Sequence, residues 1–147
     1  MNASALWVIA LGISMSACAA EEMHPGESCG SCHVATKTRS WDKGDPFGAA
    51  GTAYAAPSAR ASQGIAGADV EISDANGTTV ALRTNDVGNF FTKTPLTPPL
   101  RVKITKDGAT ATMQSAPSGD CNSCHRASPG SPGRVHVPEQ ARVANVR

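Results

Sequence analysis

Four of the five cysteines and two of the four histidines in this 147-residue chain fall in two short runs, Cys29-Gly30-Ser31-Cys32-His33 and Cys121-Asn122-Ser123-Cys124-His125. Two thiols at this spacing can each add to a vinyl group along one edge of a porphyrin, and the imidazole that follows reaches the iron from one face. The pattern is that of covalent c-type haem attachment, and two copies imply two haems. Cys29, Cys32, Cys121 and Cys124 would be the thioether sulfurs, with His33 and His125 as proximal iron ligands. Other chemistries share the cysteine spacing. A four-thiolate zinc site has no need of a His directly after each pair and usually draws its pairs from closer together. No βαβ pattern surrounds either pair, as a thioredoxin-like redox centre would require. Disulfides stay open for an exported chain.

The ligand opposite each proximal His decides potential and reactivity. The two histidines outside the motifs, His24 and His136, each stand near one of them, so two haems with two imidazoles apiece would use all four. This arithmetic favours bis-histidine ligation, with His24 and His136 as candidate distal ligands. The eleven residues from His125 to His136 include Pro129-Gly130-Ser131-Pro132-Gly133 and extend to at most ~36 Å, enough to wrap to the other face of the ring. The five from His24 to Cys29 reach at most ~18 Å. Three arrangements stay open: each His serves its own motif, the two cross over, or His24 is donated to a neighbouring molecule and makes a homo-oligomer. Met23, beside His24, competes as a ligand, whereas Met113 continues a strand alternation with Ala111 and is expected in the core. Arg126 and Arg134 are candidates to pair with haem propionates.

The motifs need a compartment and a scaffold. Residues 1–17 carry an apolar run from Ala5 to Met15 and no charged side chain, too short to span a membrane and suited to the core of a signal peptide. Met15-Ser16-Ala17-Cys18 resembles a bacterial lipobox, which implies that Cys18 becomes the lipidated first residue and accounts for the odd cysteine. Ala17-Cys18-Ala19 also fits ordinary cleavage. On the lipoprotein reading the anchor is lipid, since no later stretch is long and apolar enough to cross a bilayer. Formal net charge is +1 before any propionates are added, which gives no reason to expect a nucleic-acid partner. With three Phe, two Trp and one Tyr against 14 Gly and 10 Pro, the protein core must be modest and porphyrins would add apolar filling.

Between the motifs the pattern is β. Val70 and Ile72 alternate with Glu71 and Ser73, Val80 and Leu82 with Ala81 and Arg83, and Leu100, Val102 and Ile104 with Arg101, Lys103 and Thr105. Asn76-Gly77 predicts a hairpin turn between strands at 68–74 and 78–84, and Asp107-Gly108 a turn into 109–114. Short antiparallel strands at this spacing predict an all-β fold, a small β-sandwich flanked by irregular or short helical haem-binding segments. The expected division is a leader at 1–17, an arm with the first motif at 18–50, the sandwich at 51–116, and the second motif with a mobile tail at 117–147. Asp69, Glu71 and Asp74 read as a solvated strand face and a turn, and no catalytic constellation stands out among the strands.

Gly67-Ala68-Asp69-Val70-Glu71-Ile72 followed by Thr84-Asn85-Asp86-Val87-Gly88-Asn89-Phe90 resembles the carboxypeptidase regulatory-like, transthyretin-type sandwich family. The resemblance implies about seven strands in two sheets, with Gly88 in a turn and Phe90 in the core, and implies little about function. The motifs and leader together resemble an exported di-haem c-type cytochrome. That resemblance implies an electron-transfer protein rather than an enzyme, placed at the outer membrane, facing the periplasm or on the cell surface. Its partners would be redox proteins of the envelope. Rival readings are a haem-bearing sensor or binding module, and a small di-haem peroxidase or reductase with one open iron.

Overall fold

A computed structural model describes residues 22–33 and 46–138. The leader expected at 1–17, Cys18, and residues 139–147 of the expected tail lie outside the described residues. Six strands are present among those described: β1 (Ala49–Thr52), β2 (Asp69–Ser73), β3 (Thr79–Arg83), β4 (Asn89–Thr92), β5 (Leu100–Lys106) and β6 (Ala109–Ala116). They form two antiparallel sheets, β1-β4 and β3-β2-β5-β6, so the fold is a small all-β sandwich. No helix among the described residues is long and apolar enough to cross a membrane.

Alternation explains the core. Val70 pairs with Ile104 and Ile72 with Val102 across β2 and β5, and all four are buried, while Asp69, Glu71, Arg101 and Lys103 are exposed. Period-2 side chains on neighbouring strands thus fill one inner face. From the opposite sheet Phe90 enters the same cluster at 2% exposure, a burial that stabilises by about 2–3 kcal/mol. Phe91, its neighbour, points outward at 42% exposure.

The turns follow their residue chemistry. Asp107 and Gly108 both have positive φ, as a two-residue primed hairpin demands. The β2-β3 turn is longer. The Asp74 carboxylate accepts the N–H groups of Asn76 and Thr78 through Oδ1 and of Thr97 through Oδ2, so Asp74 staples the turn to the strand approaching β5. The Thr97 bond, followed by those of Thr78 and Asn76, holds its carboxyl below the usual range.

Two expectations are corrected. Met113 does not enter the core but is 37% exposed, because β6 is an edge strand whose side chains at 112–115 are uncovered. Val137, read as the start of a mobile tail, is buried at 3% and donates its N–H to Tyr54 O.

Candidate haem-attachment site

Residue 120 onward folds into a single helical turn, α1 (Cys121–Cys124), closed by His125 N–H donating to Cys121 O at 3.0 Å. The turn packs against β1, where Gly51 is required because a Cβ there would lie 2.9 Å from Cys121 Cβ and 2.8 Å from Phe90 Cζ. Cys121 therefore faces the core cluster while Cys124 is exposed. Burial, then the nearby Cys29 and Asp120, push the Cys121 thiol up to about 12, so it is a neutral thiol at physiological pH.

Beside this turn runs an apolar groove of about 180 Å³ whose walls include Cys121, His125, His136, Met113, Ile104 and Phe90. His136 reaches it because residues 134–137 lie alongside the end of β1. Tyr54 N–H donates to Val135 O, Val137 N–H donates to Tyr54 O, and Arg134 N–H donates to Pro57 O. Both rings are oriented by main chain: His125 Nδ1 is 3.0 Å from Gly133 O and His136 Nδ1 is 3.0 Å from Arg134 O. A carbonyl only accepts, so each Nδ1 carries a hydrogen, and in the neutral form of each ring the lone pair lies on Nε2. This is the orienting contact characteristic of imidazoles that bind metal.

The first motif is built differently. Cys29–Ser31 is a 3-10 turn, and His33 N–H donates to Cys29 O at 2.9 Å. Its pocket is small, about 40 Å³, with His24, Met23, Cys29, Cys32 and His33 in its walls. The His33 ring stacks on Phe47 at 3.9 Å, and Phe47 stacks in turn on Phe91 at 4.8 Å. His24 Nδ1 stands 4.0 Å from a Glu27 carboxylate oxygen. Burial, then Asp120, push the Cys29 thiol up to about 12. Cys29, Cys121 and Cys124 carry free thiols.

Sequence reasoning missed the polar hub that joins the two turns. Asn122, 2% exposed, accepts Thr52 N–H through Oδ1 at 3.1 Å and donates Nδ2 to Thr52 Oγ1 and Glu27 O at 3.0 and 2.9 Å. The Thr52 hydroxyl accepts Gly26 N–H at 2.8 Å and donates to Asn89 Oδ1 at 2.7 Å. Asn89 Nδ2 in turn donates to Glu22 O and Met23 O. Buried polar groups must be satisfied, and these three satisfy one another while tying residues 22–27 to the sheet. The only sequence signal was polar side chains at positions where strand or motif would accept an apolar one. Arg134, a candidate propionate partner, donates Nη1 to Gly26 O and lies 5.0 Å over the Tyr54 ring. Arg126 donates to Ser123 O.

The structure thus brings His24 together with the first motif and His136 with the second, and packs the two motif turns against each other at one end of the sandwich. The second donor set suits a c-type haem: a half-buried and an exposed thiol on one turn, and two imidazoles at one apolar groove whose Nδ1 atoms face main-chain carbonyls. The groove is smaller than the roughly 300–1,000 Å³ pockets that enclose a ligand of drug size, so a large planar group would enter it only by an edge. No group of three or more His, Cys, Asp or Glu is placed to hold a metal ion among the described residues; a haem iron with two axial protein ligands does not call for one. No family model, curated protein or solved structure matches the chain.

Proposed function

We propose that this chain is an exported di-haem c-type cytochrome that transfers electrons in the bacterial cell envelope, held there by lipid on Cys18. The single observation that carries the reading is the convergence of Cys121, His125 and His136 on one apolar groove, with both rings anchored through Nδ1. That anchoring leaves Nε2 of each ring as the donor atom, which supports His125 and His136 as ligands of one iron rather than a crossed arrangement. His24 beside Cys29, Cys32 and His33 supports the parallel assignment at the first motif.

Bound haem supplies a one-electron ferric/ferrous couple. The motif cysteines would attach it, His125 and His136 would hold its iron, and Phe90, Ile104 and neighbouring side chains would keep water from the part that enters the groove. Two imidazoles per iron leave no position for substrate, which favours outer-sphere electron transfer over turnover. The transthyretin-type sandwich then acts as a scaffold, since its strands supply walls rather than reactive groups.

The test is a pyridine haemochrome assay on chain exported from a host able to attach haem, followed by low-temperature electron paramagnetic resonance of the oxidised form. Two covalent haems with low-spin signals alone are expected. A high-spin signal would replace this reading with an open-iron peroxidase, reductase or sensor, and absence of haem would return the cysteine pairs to disulfide or zinc chemistry.

A further inference from the structure

Asp120 precedes the second motif, yet its carboxylate is spent on the first. Oδ2 accepts the Ser28 hydroxyl at 2.5 Å and Gly30 N–H at 3.0 Å, and Oδ1 accepts Cys29 N–H at 3.1 Å. The Cys29–Ser31 turn has no side-chain cap of its own, and the Ser28 hydroxyl at its N-terminus donates to Asp120. Asp120 therefore supplies, from 91 residues away in sequence, the acceptor that a local cap would provide. The approach is close: a Cβ on Gly30 would lie 2.8 Å from Asp120 Oδ2.

The main chain of the same residue belongs to the second turn and the sheet. Asp120 O accepts both the N–H and the hydroxyl of Ser123, at 3.2 and 2.7 Å. Asp120 also forms a parallel bridge with Ala50, whose N–H donates to Gly119 O at 2.8 Å. A shift of the second turn on β1 would move the carboxylate that shapes the first.

We propose that Asp120 is a positioning residue coupling the two attachment turns, so that the first haem site is completed only when the second segment is seated on the sheet. This rests on the di-haem reading. Two consequences follow for the first site. Its geometry depends on acceptors lying outside its own motif, and a carboxylate fixed at its turn would favour the ferric state of a haem attached there, lowering its potential relative to a neutral side chain.

The experiment uses the full exported chain with Asp120→Ala, which removes all three acceptor contacts, and Asp120→Asn, which keeps shape and one accepting oxygen but not the charge. Haem is located by mass spectrometry of proteolytic peptides. Asp120→Ala is expected to lose haem from the 29–33 peptide while the 121–125 peptide keeps it. Asp120→Asn is expected to keep both and to raise the potential of the first haem, whose turn the carboxylate contacts directly, more than that of the second. Both haems at full occupancy with unchanged first-haem resonance in Asp120→Ala would overturn the coupling. Should that variant not accumulate, Asp120→Asn decides alone: an unmoved first-haem potential, with unchanged hydrogen exchange at the Cys29 and Gly30 amides, overturns it. A wild-type chain carrying no haem defeats the di-haem reading instead. The clamp is still tested there, by an exchange at those two amides that is about tenfold faster in the variant than in wild type.

Discussion

The Cys121–His125 segment rests on the sandwich core, with Phe90 behind Cys121 and a strand-like segment delivering His136, whereas the segment 22–30 leading into and through the first motif is held mainly by side chains of Thr52, Asn89, Asp120 and Asn122. Identical spacing therefore stands on unlike supports. One is apolar and collective, resisting change through packing that many residues share. The other is polar and local, depending on a few hydrogen bonds that each leave a buried group unpartnered when lost. A motif states what can be attached; its surroundings state how firmly and against what it is held.

The most drastic way to separate the two regions is to remove one attachment. Cys124→Ser is expected to cut covalent haem from two per chain to one, with the remaining haem on the 29–33 peptide; unchanged stoichiometry after denaturation would contradict the motif assignment. A smaller intervention removes one axial ligand from each region in turn. His136→Ala should open the second iron, seen as carbon monoxide binding to the ferrous protein, while His24→Ala should open only the first. A spectrum unaffected by His136→Ala would strip that residue of its role and bring Met113, at the same groove, forward in its place.

Asn122→Ala tests the polar support itself. It leaves Thr52 N–H without a partner and Glu27 O with only the long Cys29 Sγ contact, a loss of about 1–3 kcal/mol, measurable by urea unfolding. The accompanying increase in proteolytic cleavage should fall on residues 22–28 and not on 134–137. Equal cleavage at both would erase the distinction between the supports. The smallest effect is remote from both. Because hydrogen bonds depress the Asp74 carboxyl in the folded state, it contributes stability at neutral pH that is lost as pH falls through its folded value. Asp74→Asn should therefore flatten part of the drop in thermal midpoint between neutral pH and about pH 3, leaving both haem sites untouched.

Much of this architecture is legible in the order of residues along the chain. Strands β2, β3 and β5 follow from strict alternation, and Gly77, Gly88 and Gly108 mark turns that use their positive φ. The short β1 and the segment carrying His136 are not legible in that way, because four alanine, glycine and threonine residues show no period, and Tyr54 recruits residues 135–137 through main-chain hydrogen bonds that side-chain types do not encode. Met113 misled for a related reason: alternation places a residue on a face, and says nothing of whether that face is covered at a sheet edge.

By itself the sequence determined the chemistry on offer, two Cys-x-x-Cys-His runs with two further histidines, and the sandwich between them, since both are properties of local order and period. Only the tertiary structure decided that the two runs meet at one end, that His24 and His136 each stand by their own motif, and that Asp120 and Asn122 serve a turn distant in the chain. The meeting of the two runs and the reach of Asp120 and Asn122 rest on contacts between residues separated by 70 or more positions, where the energy comes from satisfying buried polar groups in one specific packing.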